Sequence, residues 1–145
     1  MSTLVVEELK GELSQVFSPF RRLLVVAVRP YLYAHNFPAG TFKLQLIDAD
    51  DVVAGEQTFT ADDIYTGLNT TNAYAHAYLR VQFPSPVSLP PGDYRMVITS
   101  TGYTFSENSY LAWVKEYEDK KVNTTYIISG AEDNPLSFEL WSYEI

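Results

Sequence analysis

Cysteine is missing from this chain of 145 residues. Its absence excludes disulfide cross-links, cysteine nucleophiles and thiolate metal sites. Histidine is scarce as well, because His35 and His76 are the two histidines of the chain. A Ser-His-Asp triad needs a histidine that meets an acid and a serine, and no local spacing supports one. We therefore expect a protein that is not an enzyme.

Basic residues are outnumbered by acidic ones. Ten Lys and Arg residues stand against 18 Asp and Glu residues, which gives a formal net charge of −8. Because this charge opposes contact with a phosphate backbone, we expect no nucleic-acid partner. No apolar run approaches the length of a membrane span, and the first residues lack the basic and long apolar regions of a secretory signal. We expect a protein with no membrane partner and no export signal.

Alternation of apolar and polar residues runs along most of the chain. It is clearest in residues 89–99, LPPGDYRMVIT, where a Pro-Pro-Gly-Asp turn leads into Tyr94, Met96 and Ile98 on one side of a strand. About eight such segments, separated by turns, predict an all-β, single-domain β-sandwich of antiparallel strands, a jelly roll. We place this domain at residues 13–145 and an N-terminal arm at residues 1–12.

The most hydrophobic run covers residues 21–33, RRLLVVAVRPYLY. Alternation predicts that Leu23, Val25 and Ala27 face one way. The opposite face is apolar too, whereas a sandwich strand usually keeps one wet face, so the arm, a loop or another chain should cover it. The candidate assembly contacts are the apolar residues of this second face and of the arm: Leu4, Val5, Val6, Leu24, Val26 and Val28. Pro30 indicates that strand pairing weakens there or reaches an edge.

A few other segments give local predictions. Thr60, a capping residue followed by acidic residues, predicts one helical turn over residues 60–64 and then a loop over residues 65–72. The prolines between residues 84 and 91 predict a connection rather than a strand. Trp113 is expected in the core.

Residues 73–83, AYAHAYLRVQF, combine two very different faces. One is built from alanine and larger apolar residues and belongs against a core. The other carries aromatic and polar groups, and together with an outward tryptophan of the last strand it is the candidate binding surface: Tyr74, His76, Tyr78, Arg80 and Trp141. Tyr, Trp and Arg are enriched at interface hot spots, and aromatic rings also suit sugars. The alternative is a strand stabilised by its cross-strand pairs that binds nothing.

A carboxylate-rich turn follows the strand over residues 41–47. Its Asp48, Asp50 and Asp51 form a candidate calcium site, because calcium prefers carboxylate and carbonyl oxygens. The spacing does not match an EF-hand loop, and aspartate is common in turns that bind nothing. A pair of carboxylates in a glycosidase, drawn from these three residues and from Asp62 and Asp63, is a further alternative.

Several segments carry a resemblance to a known family. They are QVFSPF, LLVVAV, TFKLQLID, YLRVQFPSPVSLPPGDYRMVIT, YLAWVKEY and PLSFELW, spread from Leu13 to Trp141. The series resembles galactose-binding-like jelly rolls of the carbohydrate-binding-module type, in which a segment like residues 79–98 precedes a Trp-bearing strand and a closing strand. Versions that stand alone and are not exported are similar to accessory virion proteins of tailed phages. The sugar contacts of that group vary, so the resemblance assigns no ligand residue here.

The resemblance implies a non-enzymatic structural protein of a phage virion, which would be a capsid decoration (cement) protein or a fibre-associated module. Such a protein oligomerises, here expected as a trimer, and binds a viral capsid or tail protein. The alternative is a carbohydrate-binding module that recognises a glycan through the aromatic strand or through loops beside the aspartates. No cofactor apart from calcium is expected.

Overall fold

The computed structural model describes residues 5–115, 126–129 and 136–144. Within them lie eleven strands and one short helix, in the chain order β1 (Val6–Glu8), β2 (Leu13–Pro19), β3 (Leu23–His35), β4 (Thr41–Asp48), β5 (Val53–Phe59), α1 (Ala61–Leu68), β6 (Tyr74–Tyr78), β7 (Val81–Leu89), β8 (Tyr94–Thr101), β9 (Tyr110–Val114), β10 (Tyr126–Ser129) and β11 (Phe138–Glu144). The strands form two antiparallel sheets. The prediction of an all-β sandwich is confirmed.

The five-stranded sheet has the order β10-β2-β8-β4-β5. Its middle strand, β8, follows the Pro-Pro-Gly-Asp turn and buries Tyr94, Met96 and Ile98, as the alternation predicts. The Tyr94 hydroxyl donates a 2.6 Å hydrogen bond to the carbonyl of Pro90, which ties the turn to the strand that follows it. Burial raises the pKa of Tyr94, so this hydroxyl keeps its proton at neutral pH.

The core lies between the two sheets. Trp113, Phe17 and Phe42 are among its largest fully buried side chains. The indole Nε1 of Trp113 donates a 2.7 Å hydrogen bond to the carbonyl of Ser137, so the polar group of this side chain is satisfied inside the core. Trp113 therefore occupies the core position expected from the sequence.

The six-stranded sheet is organised around β3, which pairs with four strands. β7 and β6 follow one another along one edge of β3, and β11 and β9 follow one another along the other. Pro30 lies where β3 changes partners, and its carbonyl accepts a 3.0 Å hydrogen bond from the amide of Leu79. Pairing is interrupted there on one side, as expected, but Pro30 does not lie at an edge.

The assignment of Val28 to the outer face is wrong. The register of β3 shifts between Val25 and Ala27, so that Val26 has no partner on either neighbouring strand. This bulge reverses the alternation, since a one-residue insertion moves every later side chain to the opposite face. Val28 is fully buried in the core. Ala27 is also fully buried, but it lies opposite Trp141 on the other face of the sheet.

The described part of the expected arm is a strand of the same domain. β1 pairs with β9 at the edge of the six-stranded sheet, and the Leu9 side chain that follows β1 is fully buried. Edge strands expose unpaired backbone groups, and β1 covers those of β9. Leu4 lies outside the described residues, while Val5 is exposed and Val6 is half-buried.

Two local predictions need correction. The helical turn expected over residues 60–64 continues as α1 to Leu68, and Asn69 ends it in the left-handed conformation. The segment with Pro84 and Pro86 is not a connection but part of β7. Proline is tolerated there because β7 pairs on one side with β3, and no strand pairs with its other side among the described residues.

Among the residues that the structure describes, no helix has the length and apolar character of a membrane span.

Candidate binding face

The outer face of the six-stranded sheet carries a continuous group of aromatic side chains. In the register, Tyr31 lies opposite Tyr78, Tyr33 opposite His76, and His35 between Tyr74 and Tyr110. We call this group the aromatic face and define it as Tyr31, Tyr33, His35, Tyr74, His76, Tyr78 and Tyr110.

The aromatic face results from strict alternation in its strands. Leu32 and Ala34 of β3 and Ala75 of β6 point into the core. Because successive side chains of a strand point to opposite sides of the sheet, the residues between them are directed outward. Because the inward residues Ala34 and Ala75 are small, the large side chains beside them lie on the outer face.

Contacts within the aromatic face hold its side chains in place. The hydroxyls of Tyr33 and Tyr31 are each hydrogen-bonded at 2.7 Å to a ring Nδ1, that of His35 and that of His76 respectively. The His35 ring stacks on Tyr110 with 4.6 Å between centroids and a 12° interplanar angle, and its centroid lies 4.7 Å from that of Tyr74. A surface whose rotamers are already fixed loses less entropy on binding. The aromatic face is therefore preorganised.

The hydroxyls of Tyr31, Tyr33 and Tyr110 remain neutral hydrogen-bonding groups. Burial raises the pKa of Tyr31, Tyr33 and Tyr110, and neighbouring tyrosines raise those of Tyr31 and Tyr33 further. The charge of Glu8 adds to the effect of burial on the pKa of Tyr110. Since the ordinary tyrosine pKa is already about 10, these groups keep their protons at neutral pH.

Two arginines and a tryptophan adjoin the aromatic face. The guanidinium carbons of Arg29 and Arg80 lie 5.1 Å and 4.5 Å from the ring centroid of Trp141, within the range of cation–π contacts. Arg29 also forms a 2.9 Å ion pair with Glu139. We call Arg29, Arg80, Glu139 and Trp141 the cationic corner. No carboxylate of the described residues lies within 4.0 Å of Arg80, whose side chain donates one long hydrogen bond of 3.4 Å to Gln82.

The structure brings the predicted binding residues together. Tyr74, His76 and Arg80 are exposed and Tyr78 is half-buried on one face, and Trp141 reaches the same face from β11. Tyr31, Tyr33 and His35 of β3 belong to the same face but were not among the predicted binding residues. The sequence signal for them is the alternation of aromatic residues with Leu32 and Ala34 at the end of the most hydrophobic run.

The five predicted assembly contacts that the structure describes do not form one surface. Val6 lies on β1, beside the end of β9. Leu24 and Val26 are half-buried at the opposite end of β3, which pairs with β7 and β11. Val28 is buried in the core and is therefore not such a contact. For the other residues, contact with another subunit stays a prediction.

Two of the three aspartates of the predicted calcium site have hydrogen-bond partners in or beside the turn. Oδ1 of Asp48 accepts 2.9 Å hydrogen bonds from the amides of Asp50 and Val52. Oδ1 of Asp51 accepts a 2.8 Å hydrogen bond from Arg95. Across the described ranges, no group of three or more histidine or carboxylate side chains is arranged to hold a metal ion. The three carboxylates therefore do not form the predicted cluster, and the alternative of a turn describes the segment.

Comparison with known proteins does not assign the chain to a family. No protein-family model matches the chain, and no curated protein sequence matches it. The resemblance to galactose-binding-like jelly rolls stays a prediction.

Proposed function

We propose that the protein is a non-enzymatic structural module that associates with copies of itself through the aromatic face and the adjoining cationic corner. The observation that carries this proposal is the preorganised group of tyrosine, histidine, arginine and tryptophan side chains on one sheet face. No member of it is needed to close the core between the sheets. We therefore infer that these side chains contact a partner outside the domain.

The composition and exposure of the face suit a protein interface. Tyr74 and Trp141 are 55% and 45% exposed, although large aromatic side chains contribute most when they are buried. Tyr, Trp and Arg dominate the energetics of protein interfaces, and fixed rotamers reduce the entropy that binding costs. These properties favour contact with a large partner over turnover of a small one.

The proposed setting is a virion, in which the module would decorate a capsid or belong to a tail fibre. This part of the proposal is supported by the resemblance described above and by the sandwich fold. Repeated copies on a particle present the same face many times, so a weak contact between copies gains from multivalency. The proposal includes attachment to a capsid or tail protein through a surface other than the aromatic face.

The self-association can be tested with a paired variant. Replacing both Tyr74 and Trp141 with serine is expected to raise the dissociation constant of the self-complex about 100-fold, because two half-exposed aromatic anchors of an interface are worth roughly 2–3 kcal/mol together. Size-exclusion chromatography with light scattering measures the effect.

A control variant is available on the other sheet. Val53 is 42% exposed on β5, and Val53→Ser should leave the association unchanged. A paired variant that associates as strongly as the unmodified protein would contradict the proposal, and so would an unmodified protein that stays monomeric at high concentration.

Glycan binding is the second candidate, and the geometry of Trp141 favours it specifically. Its half-exposed ring lies beside guanidinium groups, a combination that can stack on a sugar ring while donating hydrogen bonds to its oxygens. A glycan array separates the two candidates. Saturable glycan binding that is lost in Trp141→Ala, with no self-association, would replace the assembly proposal by this one.

A further inference from the structure

We propose that the aromatic face joins two copies of the chain about a two-fold axis, with Arg80 of one copy opposite Glu8 of the other. This inference rests on the proposed function and names the partner and the pairing at that face. It depends on where the register places the two charged side chains.

Glu8 lies on the same face of the sheet as the aromatic group, beyond β9. It is opposite Ala112, which is opposite Tyr33, which is opposite His76, and directly paired residues point to the same side of a sheet. The Glu8 side chain is 36% exposed. Its negative charge thus stands at the β1 edge of the face.

Arg80 stands at the opposite edge. It follows Leu79, whose amide bonds to the carbonyl of Pro30, and it precedes Val81, which pairs with Val28. Arg80 is therefore level with Arg29, whereas Glu8 is level with Tyr33, four residues further along β3. A line from Arg80 to Glu8 crosses the face diagonally, and its middle falls near Tyr31.

The two ends are complementary in charge. Arg80 has no carboxylate within 4.0 Å among the residues that the structure describes. Within the described ranges Glu8 has one ion pair, a 3.8 Å contact with the exposed Lys10, and such surface pairs contribute little. Each end of the face therefore has an incompletely matched charge, and each is the partner that the other lacks.

A half-turn of a second copy about an axis through the centre of the face places each Arg80 against the other copy's Glu8. A two-fold contact uses the same surface on both copies, so two equal ion pairs form at the rim while the aromatic rings meet in the middle. Such a contact closes with two copies. The trimer expected from the resemblance would need two different surfaces on each copy.

The size of the face sets the expected strength. Strand rise and strand spacing make it roughly 25 Å long and roughly 15 Å wide. This is less than the roughly 800 Å² per partner of a standard interface. We therefore expect a dimer that dissociates on dilution, with a mass at high concentration of twice the 16.4 kDa of the chain.

Charge reversal tests the pairing at constant ionic strength. Arg80→Glu and Glu8→Arg should each weaken self-association at least about tenfold, because like charges then face each other twice. The double variant Arg80→Glu/Glu8→Arg should associate within about threefold of the unmodified protein. Lys43→Glu, on the other sheet, makes the same change in net charge as Arg80→Glu and should have no comparable effect. Sedimentation velocity over a dilution series measures all of these.

Mixing the two single variants tests the symmetry. One variant then carries acids at both ends of the face and the other carries arginines at both, so the mixture should form a 1:1 heterodimer at least about tenfold more readily than either variant forms a homodimer. A closed ring of three cannot alternate the two variants without one repulsive contact.

The possible results test the ion pairing, the two-fold axis and the self-association separately. Association of the unmodified protein that Arg80→Glu and Glu8→Arg leave unchanged, or that the double variant does not restore, would overturn the pairing but not the self-association. A heterotrimer in the mixture would overturn the two-fold axis. If the unmodified chain does not associate at any concentration, the proposed function fails first and the pairing fails with it.

Discussion

Replacing Trp113 with alanine is expected to lower the free energy of unfolding by about 3–5 kcal/mol. The side chain is fully buried, so the truncation removes a large apolar surface and leaves a cavity between the sheets. It also removes the 2.7 Å hydrogen bond to the Ser137 carbonyl, and a buried acceptor without a partner is costly. Denaturant unfolding followed by circular dichroism measures the change.

The matched control for this variant is the other tryptophan. Trp141 is half-exposed on the outer face, so Trp141→Ala should change the free energy of unfolding by less than about 1 kcal/mol. The free energy of unfolding of small domains is about 5–15 kcal/mol, so the Trp113→Ala variant is expected to be only marginally stable. Equal effects of the two substitutions would contradict the assignment of Trp113 to the core and Trp141 to the surface.

Gly40→Ala is expected to destabilise the protein by about 2–3 kcal/mol. Gly40 has a φ of +102°, a conformation that costs other residues roughly 1–3 kcal/mol. A Cβ there would also lie 2.8 Å from the carbonyl carbon and oxygen of Gly102, which are backbone atoms that cannot move aside as a flexible side chain can. Thermal and denaturant unfolding of the variant give the measurement.

A second glycine supplies the comparison for Gly40. Gly67 lies in α1, and a Cβ there meets nothing within 4 Å. Alanine is a better helix former than glycine, so Gly67→Ala should raise the free energy of unfolding by about 0.5–1 kcal/mol. If both substitutions stabilise the protein, the close approach of residues 40 and 102 is not present in solution.

Much of the fold follows from a local rule. Alternation correctly places Phe42, Leu44 and Leu46 of β4 in the core, and it also does so for Tyr94 and Met96 of β8. One side of each of these strands is apolar and the other is mostly polar, so the sequence itself shows which side faces the core. The turn before β8 is readable for the same reason, because proline and glycine have their own backbone requirements.

The bulge at Val26 cannot be predicted from the sequence pattern in this way. Residues 23–28 are all apolar, and a run without contrast between its sides does not reveal where its alternation reverses. The reversal depends on Ala27 and Val28 being paired with strands far away in the chain. For this reason alternation alone predicts Val28 on the outer face and does not indicate that Ala27 lies opposite Trp141.

The candidate site was predictable in part. The row on β6 was visible because Tyr74, His76 and Tyr78 alternate with alanines. Their neighbours on β3 were not, since the pairing of Tyr31 with Tyr78 joins residues 47 positions apart. The Asp48 carboxylate shows a related limit, because its residue type permits calcium while its actual partners are two backbone amides of its own turn.

Fluorescence quenching by acrylamide over a range of protein concentrations tests the central claim, the burial of the aromatic face and its cationic corner between copies. Trp113 is fully buried and Trp141 is 45% exposed, so the quenchable emission reports on Trp141. The account predicts that quenching falls as the concentration rises, in step with the increase in mass from one chain to two. An increase in mass with unchanged quenching would place the contact on another surface and contradict the account.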